Sequence, residues 1–247
     1  QATRVAEYIQ DRPKRYRGTM KLGIATDTED QTGEIIQQTE VSSLLEEQVQ
    51  SVFQSFLGEI AQIPPMYSAV KYKGKRLYEW ARQGQMIKRK PRKVTIYSIR
   101  CLGIEQGSYP TLAFDVTCSK GTYIRTLCVD IGKKLGYPAH LSSLIRTKSG
   151  PFYLEDCYQL EQLLALQRRD ELKNRLYSID EVLGHFPSVI VYDEDVRYVE
   201  NGLPIKVENS FSIPLLRIYS ESGKFCALYR FEEGIAKPEK VFRDVTD

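Results

Sequence analysis

An α+β fold is predicted: a mixed, mostly antiparallel sheet with helices packed on it, followed by a small β-rich module. Three observations predict it. Strand patterns at residues 94–104 and 111–118 follow one another across a short glycine-bearing turn, so they pair antiparallel. The other strand patterns lie too close together for a regular β-α-β array. After Phe186-Pro187-Ser188 the texture changes to short apolar runs broken by Gly and Pro, at 189–192, 215–219 and 224–229. The boundary is placed there, giving domains of residues 1–187 and 188–247.

The elements follow in order. Val5, Tyr8 and Ile9 mark a short helix that ends at Asp11-Arg12-Pro13. Residues 14–24 alternate weakly and read as a strand, 26–33 as a loop rich in Asp, Thr and Gly, and 33–39 as a second strand. Ser43-Leu44-Leu45-Glu46 has the form of a capping box opening a helix with Leu45, Val49, Val52, Phe53 and Phe56 on its apolar face, ended by Gly58. Ile63-Pro64-Pro65 forbids regular structure. A short helix spans 76–83 and Gly84 closes it. Residues 123–135 form a helix stopped by Gly136 and Pro138, and 160–176 form a charged amphipathic helix.

Composition bounds the function. The chain has 247 residues, 42% hydrophobic and 27% charged, which is a globular balance and not a disordered one. No run approaches the roughly 18 apolar residues a membrane helix needs. Five widely spaced cysteines without a C-x-x-C pair argue for reduced thiols and a cytoplasmic location. Two distant histidines, His140 and His185, give no metal-ligand spacing, so neither a metal nor another cofactor is expected. The net charge of +3 hides strong segregation. Residues 71–100 hold eleven Lys and Arg against Glu79 alone, while residues 22–50 hold seven acids and no Lys or Arg. Tyr72, Tyr78, Trp80 and Tyr97 are interleaved with those cations, a pattern suited to phosphates and bases and equally to a solvated basic face.

Two segments stand out. The first runs from Ile63 through Lys71-Tyr72-Lys73-Gly74-Lys75-Arg76 to Arg82: a rigid Pro-Pro entry, then rings and cations. The second is Cys118-Ser119-Lys120-Gly121-Thr122-Tyr123-Ile124-Arg125, where a strand ends, Gly121 turns the chain and a helix begins. Tyr123 and Arg125 in that first turn suit a cleft, or equally a core tyrosine and a surface cation.

These segments, with Lys14-Arg15-Tyr16-Arg17, Leu22-Gly23 and Thr26-Asp27-Thr28-Glu29-Asp30, resemble the bacterial TruB family of tRNA pseudouridine synthases. The resemblance covers about residues 1–150 and continues loosely into a module similar to a small PUA domain. It implies isomerisation of uridine-55 in the T loop of tRNA: the base is flipped out, C1′–N1 is broken and C5 is joined to C1′. It implies Tyr123 and Arg125 as catalytic residues, and Tyr16, Tyr123 and Leu144 as contacts to the base. It also implies Asp30, Lys71, Lys73, Lys75, Arg76, Lys120 and Arg146 as RNA contacts. A monomer that binds the T arm of tRNA is the expected form. The family's nucleophilic aspartate lies in a Gly-x-Leu-Asp-Pro motif upstream of Gln1-Ala2-Thr3, and no such motif occurs in these residues. Arg125 is therefore expected to lack its carboxylate partner, and the 247 residues alone to be inactive. The competing reading is a non-catalytic RNA-binding protein on the same scaffold.

Overall fold

The computed structural model describes residues 1–243. Its strands are β1 (Lys14–Leu22), β2 (Ile24–Thr26), β3 (Ile35–Gln38), β4 (Gly58–Gln62), β5 (Lys71–Tyr72), β6 (Lys75–Arg76), β7 (Arg92–Glu105), β8 (Thr111–Cys118), β9 (Ala139–Ser149), β10 (Phe152–Tyr153), β11 (Ser188–Val191), β12 (Ile205–Lys206), β13 (Leu215–Ser220), β14 (Phe225–Glu232) and β15 (Ile235–Val241). The α-helices are α1 (Ala6–Gln10), α2 (Glu46–Gln54), α3 (Leu77–Arg82), α4 (Ile124–Leu135), α5 (Leu160–Arg168), α6 (Ile179–Val182) and α7 (Val196–Glu200).

The chain forms two compact units, one of residues 11–157 and one of residues 1–10 with residues 158 onward. The turn to β-rich texture does come at Ser188, where β11 starts, but the compact units part earlier. The N-terminal helix accounts for part of the difference. Arg4 donates to the Val241 carbonyl at 2.7 Å, the Tyr8 hydroxyl donates to Glu239 at 2.8 Å, and Lys240 pairs with Glu7 at 3.2 Å. These bonds tie the first ten residues to β15 across more than 230 positions of sequence.

In residues 11–157 a six-stranded antiparallel sheet runs in the order β10-β9-β1-β8-β7-β4. Period-2 alternation on β8 sends Leu112, Phe114, Val116 and Cys118 to one face, all at most 1% exposed. They meet Met20 and Leu22 of β1, Val49 and Phe53 of α2, and Leu127, Cys128 and Ile131 of α4 in one core. Ile124, Leu127, Cys128 and Ile131 stand at i, i+3, i+4 and i+7, which gives α4 a single apolar stripe. Gly136, at φ 87°, ends it in the left-handed conformation. The second unit holds its own sheet, β11-β13-β14-β15-β12, parallel between β11 and β13 and antiparallel at its other pairings. Its separate core is built on Leu216, Ile218, Cys226 and Tyr229.

Several expectations shift. The α2 helix starts at Glu46 with Leu45 as N-cap, not Ser43; the Gln48 side chain accepts the Leu45 N–H at 3.4 Å, so the box is displaced along the chain. The 160–176 helix stops at Arg168, because Asp170 turns left-handed at φ 55° and Leu172–Arg175 continues as a 3-10 turn. The first strand breaks at Gly23, φ 88°. Strands β4 and β9 had no sequence counterpart. β9 is buried at Ala139, His140 and Leu141 and then exposed at Ser143–Arg146, so it shows no period-2 pattern to detect.

The face of β8 opposite the core carries one acid. Asp115 is 2% exposed and accepts Arg15 Nε at 2.8 Å and Arg17 Nε at 2.9 Å from the adjacent β1. Burial pushes its carboxyl up, but the two guanidinium bonds and their charges outweigh that and hold it below the usual carboxylate range. Its folded pKa is thus depressed, so the stabilisation is full above pH ~4 and lost as the pH falls through the lowered value. Asp115→Ala is expected to cost about 1–3 kcal/mol, discounted because both arginines reach solvent. In thermal melts the deficit should be constant from pH 7 to about 5 and shrink at lower pH; a deficit that does not depend on pH would rule out the ionic cause.

Candidate active site

The core strands place two of the implied base contacts, Tyr16 and Leu144, on one face. On β1, Tyr16 lies opposite Arg146 and Gly18 opposite Leu144, both of β9. A Cβ on Gly18 would collide with the Ser143 carbonyl oxygen and lie 3.1 Å from Leu144 Cδ1, so only glycine lets β9 approach this closely. A bulge between Arg15 and Tyr16 reaims the tyrosine within the β1–β9 ladder. Tyr16 is half-buried and packs on the core. Burial raises its hydroxyl pKa, and a hydrogen bond from Arg146 partly offsets this. Leu144 is 40% exposed, an apolar side chain held at the surface beside that ring.

The second group stands at the start of α4. Ser119 Oγ accepts the Thr95 N–H at 2.9 Å, Thr122 Oγ1 donates to the Ser119 carbonyl at 2.9 Å, and Gly121 takes φ 85°. This turn delivers Tyr123 as the N-cap residue, with no side-chain cap of its own. Gln62, at the end of β4 and 1% exposed, supplies the missing partners. Its Oε1 accepts the Tyr123 N–H at 2.7 Å and its Nε2 donates to the Tyr123 carbonyl at 3.0 Å. The tyrosine's backbone is clamped on both sides while its hydroxyl makes no hydrogen bond among the described residues.

Arg125, two residues on, is held in a ring of acceptors. One terminal nitrogen donates to the Thr28 carbonyl at 3.0 Å and to Asp30 Oδ2 at 3.2 Å; the other donates to the Tyr67 carbonyl at 2.6 Å. Among the described residues the ion-pair partner of Arg125 is Asp30, which is not the aspartate that the resemblance implies for it. The loop is built for this. Glu29 takes φ 65°, and the loop backbone exchanges bonds with β9 through Leu141 N–H to Glu29 O at 3.0 Å and Gln31 N–H to Leu141 O at 2.9 Å. Desolvation would raise the Asp30 carboxyl, but bonds from Thr32 and Thr28 and the Arg125 charge outweigh it, so it lies below the usual range and is ionised. Neighbouring Glu29 differs: burial dominates and raises it, and Thr126 Oγ1 donates to it at 2.7 Å. Asp30, expected among the RNA contacts, spends both its oxygens inside the protein.

The remaining implied contacts lie on the surface. Lys71–Tyr72 and Lys75–Arg76 form a tiny hairpin turning through Lys73 at φ 48° and Gly74 at φ 84°. Glu79 accepts the Arg76 N–H at 2.9 Å and so opens α3. Cations cover rings along it: Lys73 sits 5.7 Å from the Tyr72 ring, Lys75 5.1 Å from Trp80 and Arg82 5.4 Å from Tyr78. Lys120, by contrast, pairs with Asp11 at 2.7 Å on an exposed surface. Arg146 bonds to Tyr16. Sequence reasoning missed Gln62 and the Tyr67 carbonyl. Gln62 stands immediately before Ile63-Pro64-Pro65, where the two prolines carry no N–H for its side-chain oxygen to accept.

Among the described residues no group of three or more His, Cys, Asp or Glu is placed to hold a metal, and no helix is long and apolar enough to cross a membrane.

Comparison with known proteins bears on this geometry. A model of the TruB family pseudouridylate synthase N-terminal domain matches residues 1–124, and one of the tRNA pseudouridylate synthase B C-terminal domain matches residues 125–184. The tRNA pseudouridine synthase B of Halalkalibacterium halodurans is 42% identical over 246 residues, spanning 97% of this chain and 81% of that protein. That of Bacillus licheniformis is 43% identical over 250 residues, with the same coverage. Among solved structures, a Cbf5-Nop10-Gar1 complex superposes with a TM-score of 0.67 at 27% identity, over 98% of this chain and 70% of that one. An H/ACA RNP bound to a substrate RNA containing 2′-deoxyuridine shares the fold with a TM-score of 0.70 at 24% identity, over 99% of this chain and 70% of that one.

Proposed function

Since the chain belongs to the TruB family of pseudouridylate synthases, we propose that it isomerises uridine to pseudouridine in tRNA, at position 55 of the T loop. The relatives named as tRNA pseudouridine synthase B favour this over a non-catalytic RNA-binding protein. One observation of the site carries the reading. Arg125 is fixed by Asp30, Thr28 and Tyr67 at the first turn of α4, two residues after a tyrosine whose backbone is clamped and whose hydroxyl is free among the described residues.

The residues divide the work. Tyr16 and Leu144 wall the pocket for an extruded uracil, replacing the stacking that the base loses on leaving the loop. The C1′–N1 bond breaks, the freed uracil turns, and C5 bonds to C1′; C5 then loses its proton and N1 gains one, so atoms and charge balance. The Tyr123 hydroxyl takes the C5 proton as it passes its own proton on, through solvent, toward N1, so the phenol ends neutral. Arg125 orients the carboxylate that attends C1′ and keeps it ionised. Asp30 is the fixed counter-charge that prevents Arg125 from swinging, since three hydrogen bonds from Thr28 and Thr32 already occupy its other oxygen. That attending carboxylate belongs to a Leu-Asp-Pro segment these 247 residues do not contain, so the chain alone binds RNA and needs that segment for cleavage. The module from residue 188 adds affinity without chemistry, and the whole works in the cytoplasm as a monomer.

The hairpin at Lys71–Arg76 supplies phosphate contacts. Reversing Lys71, Lys73, Lys75 and Arg76 to Glu should weaken T-arm binding and flatten the slope of log K against log salt by roughly one unit for each phosphate no longer neutralised. Fluorescence anisotropy across a salt series checks this, and an unchanged slope would put the RNA elsewhere. Turnover is read directly as tritium released from tRNA labelled at uridine C5, because isomerisation must expel that atom.

A further inference from the structure

A cavity whose lining does not include Tyr16, Tyr123 or Arg125 is bordered by cations. It is a pocket of about 220 Å³ between the segment entering the basic hairpin and the irregular segment after α3. Lys71, Lys88, Arg89, Lys90 and Arg92 all line it. None of the five pairs with a carboxylate among the described residues. Arg89 donates to the Pro64 carbonyl at 3.0 Å, and its buried Nε has no acceptor among the described residues. Lys71, Lys88, Lys90 and Arg92 are exposed on the rim, so their charges can attract an anion to the pocket. The rest of the lining is not suited to a free inorganic anion. Val70, Tyr72, Leu77 and Ile87 give an apolar wall, and Tyr72 is 39% exposed. A cationic rim beside an apolar wall with an aromatic ring matches the two halves of a nucleotide.

We propose that this pocket seats one nucleotide of the bound RNA, other than the reacting uridine. Its phosphate lies among Lys71, Lys88, Lys90 and Arg92, and its base lies against Tyr72 and Val70. The inference rests on the RNA-binding reading above and adds a discrete subsite to it. A diffuse basic surface would lower affinity for every phosphate alike; a subsite is sensitive to one.

The test replaces each phosphate of a T-arm hairpin RNA in turn by an uncharged methylphosphonate and measures binding to the full chain by anisotropy. One or two adjacent linkages should cost the unaltered protein at least about fivefold, taken as the effect of one contact. The double variant Lys88→Ser/Lys90→Ser should bind about tenfold more weakly and show no further loss at those linkages. An abasic substitution at the same nucleotide should weaken binding to the parent and leave Tyr72→Ala unaffected. Lys88 and Lys90 are exposed, so both proteins should melt together. A double variant that loses affinity but keeps the parent's linkage profile would overturn the subsite and leave RNA binding standing. A parent chain with no salt-dependent affinity for the hairpin would instead overturn the RNA-binding reading itself.

Discussion

Arg125→Met, made in a form that carries the Leu-Asp-Pro segment, is expected to lose activity about 10³-fold or more. The substitution keeps the unbranched apolar stem and removes the guanidinium with its charge. In the present structure that charge is shared among the Thr28 carbonyl, the Tyr67 carbonyl and Asp30. Without it Asp30 is left ionised, three-quarters covered and facing no cation, and breaking such a pair costs about 3–5 kcal/mol where it is well buried. The attending carboxylate would lose orientation at the same time. The loss should fall on kcat, with KM for tRNA changed little, because the proposed function assigns the phosphates to the hairpin and not to Arg125. Arg125→Lys should recover only part: one ammonium cannot reach acceptors on both sides as the planar guanidinium does. Single-turnover tritium release measures both variants. Near-parent rates for Arg125→Met would remove the arginine from the mechanism.

Tyr123→Phe is expected to separate stacking from proton transfer. The ring, its volume and the backbone clamp from Gln62 all survive the change, so the phenyl should occupy the same place. Only the hydroxyl goes. It has no partner among the described residues, so its removal breaks no structural bond there, and any effect on rate reports chemistry. If the ring served only as a wall, activity would fall by less than about tenfold, roughly 1.4 kcal/mol. If the hydroxyl takes the C5 proton, the loss should be on the order of 10²–10⁴-fold. The larger loss is expected, and a deuterium effect at uridine C5 should grow in the variant as deprotonation becomes slower. Tyr123→Phe turning over tRNA at the parent rate would leave Tyr123 as a wall of the pocket.

Much of the architecture was legible along the chain. The pairing of β7 with β8 and the stop of α4 at Gly136 depend on neighbours a few positions away, and turn residues and periodicity report those. The 160–176 helix was overextended because no Gly or Pro marks Asp170, whose left-handed turn ends α5. β9 escaped because its exposed half carries no alternation, although it supplies Leu144 and Arg146. The domain boundary near 187 followed a real change in texture, yet the first ten residues close on β15, a partnership no local pattern carries.

The same distinction runs through the site. Residue types and their order singled out Tyr123 and Arg125, because a glycine turn and a helix start are short-range events, while Tyr16 and Leu144 were implied only by the family resemblance. Types and order were not enough to join Arg125 to Asp30 across 95 residues or Gln62 to Tyr123 across 61. Those bonds exist because β9 takes its place beside β1 and anchors the acidic loop, while the register of β4 on β7 positions Gln62 at the strand's end. Sheet order and register are set by which apolar faces can be buried together, a property of the whole core. Polar partners far apart in sequence meet only as a consequence of that packing.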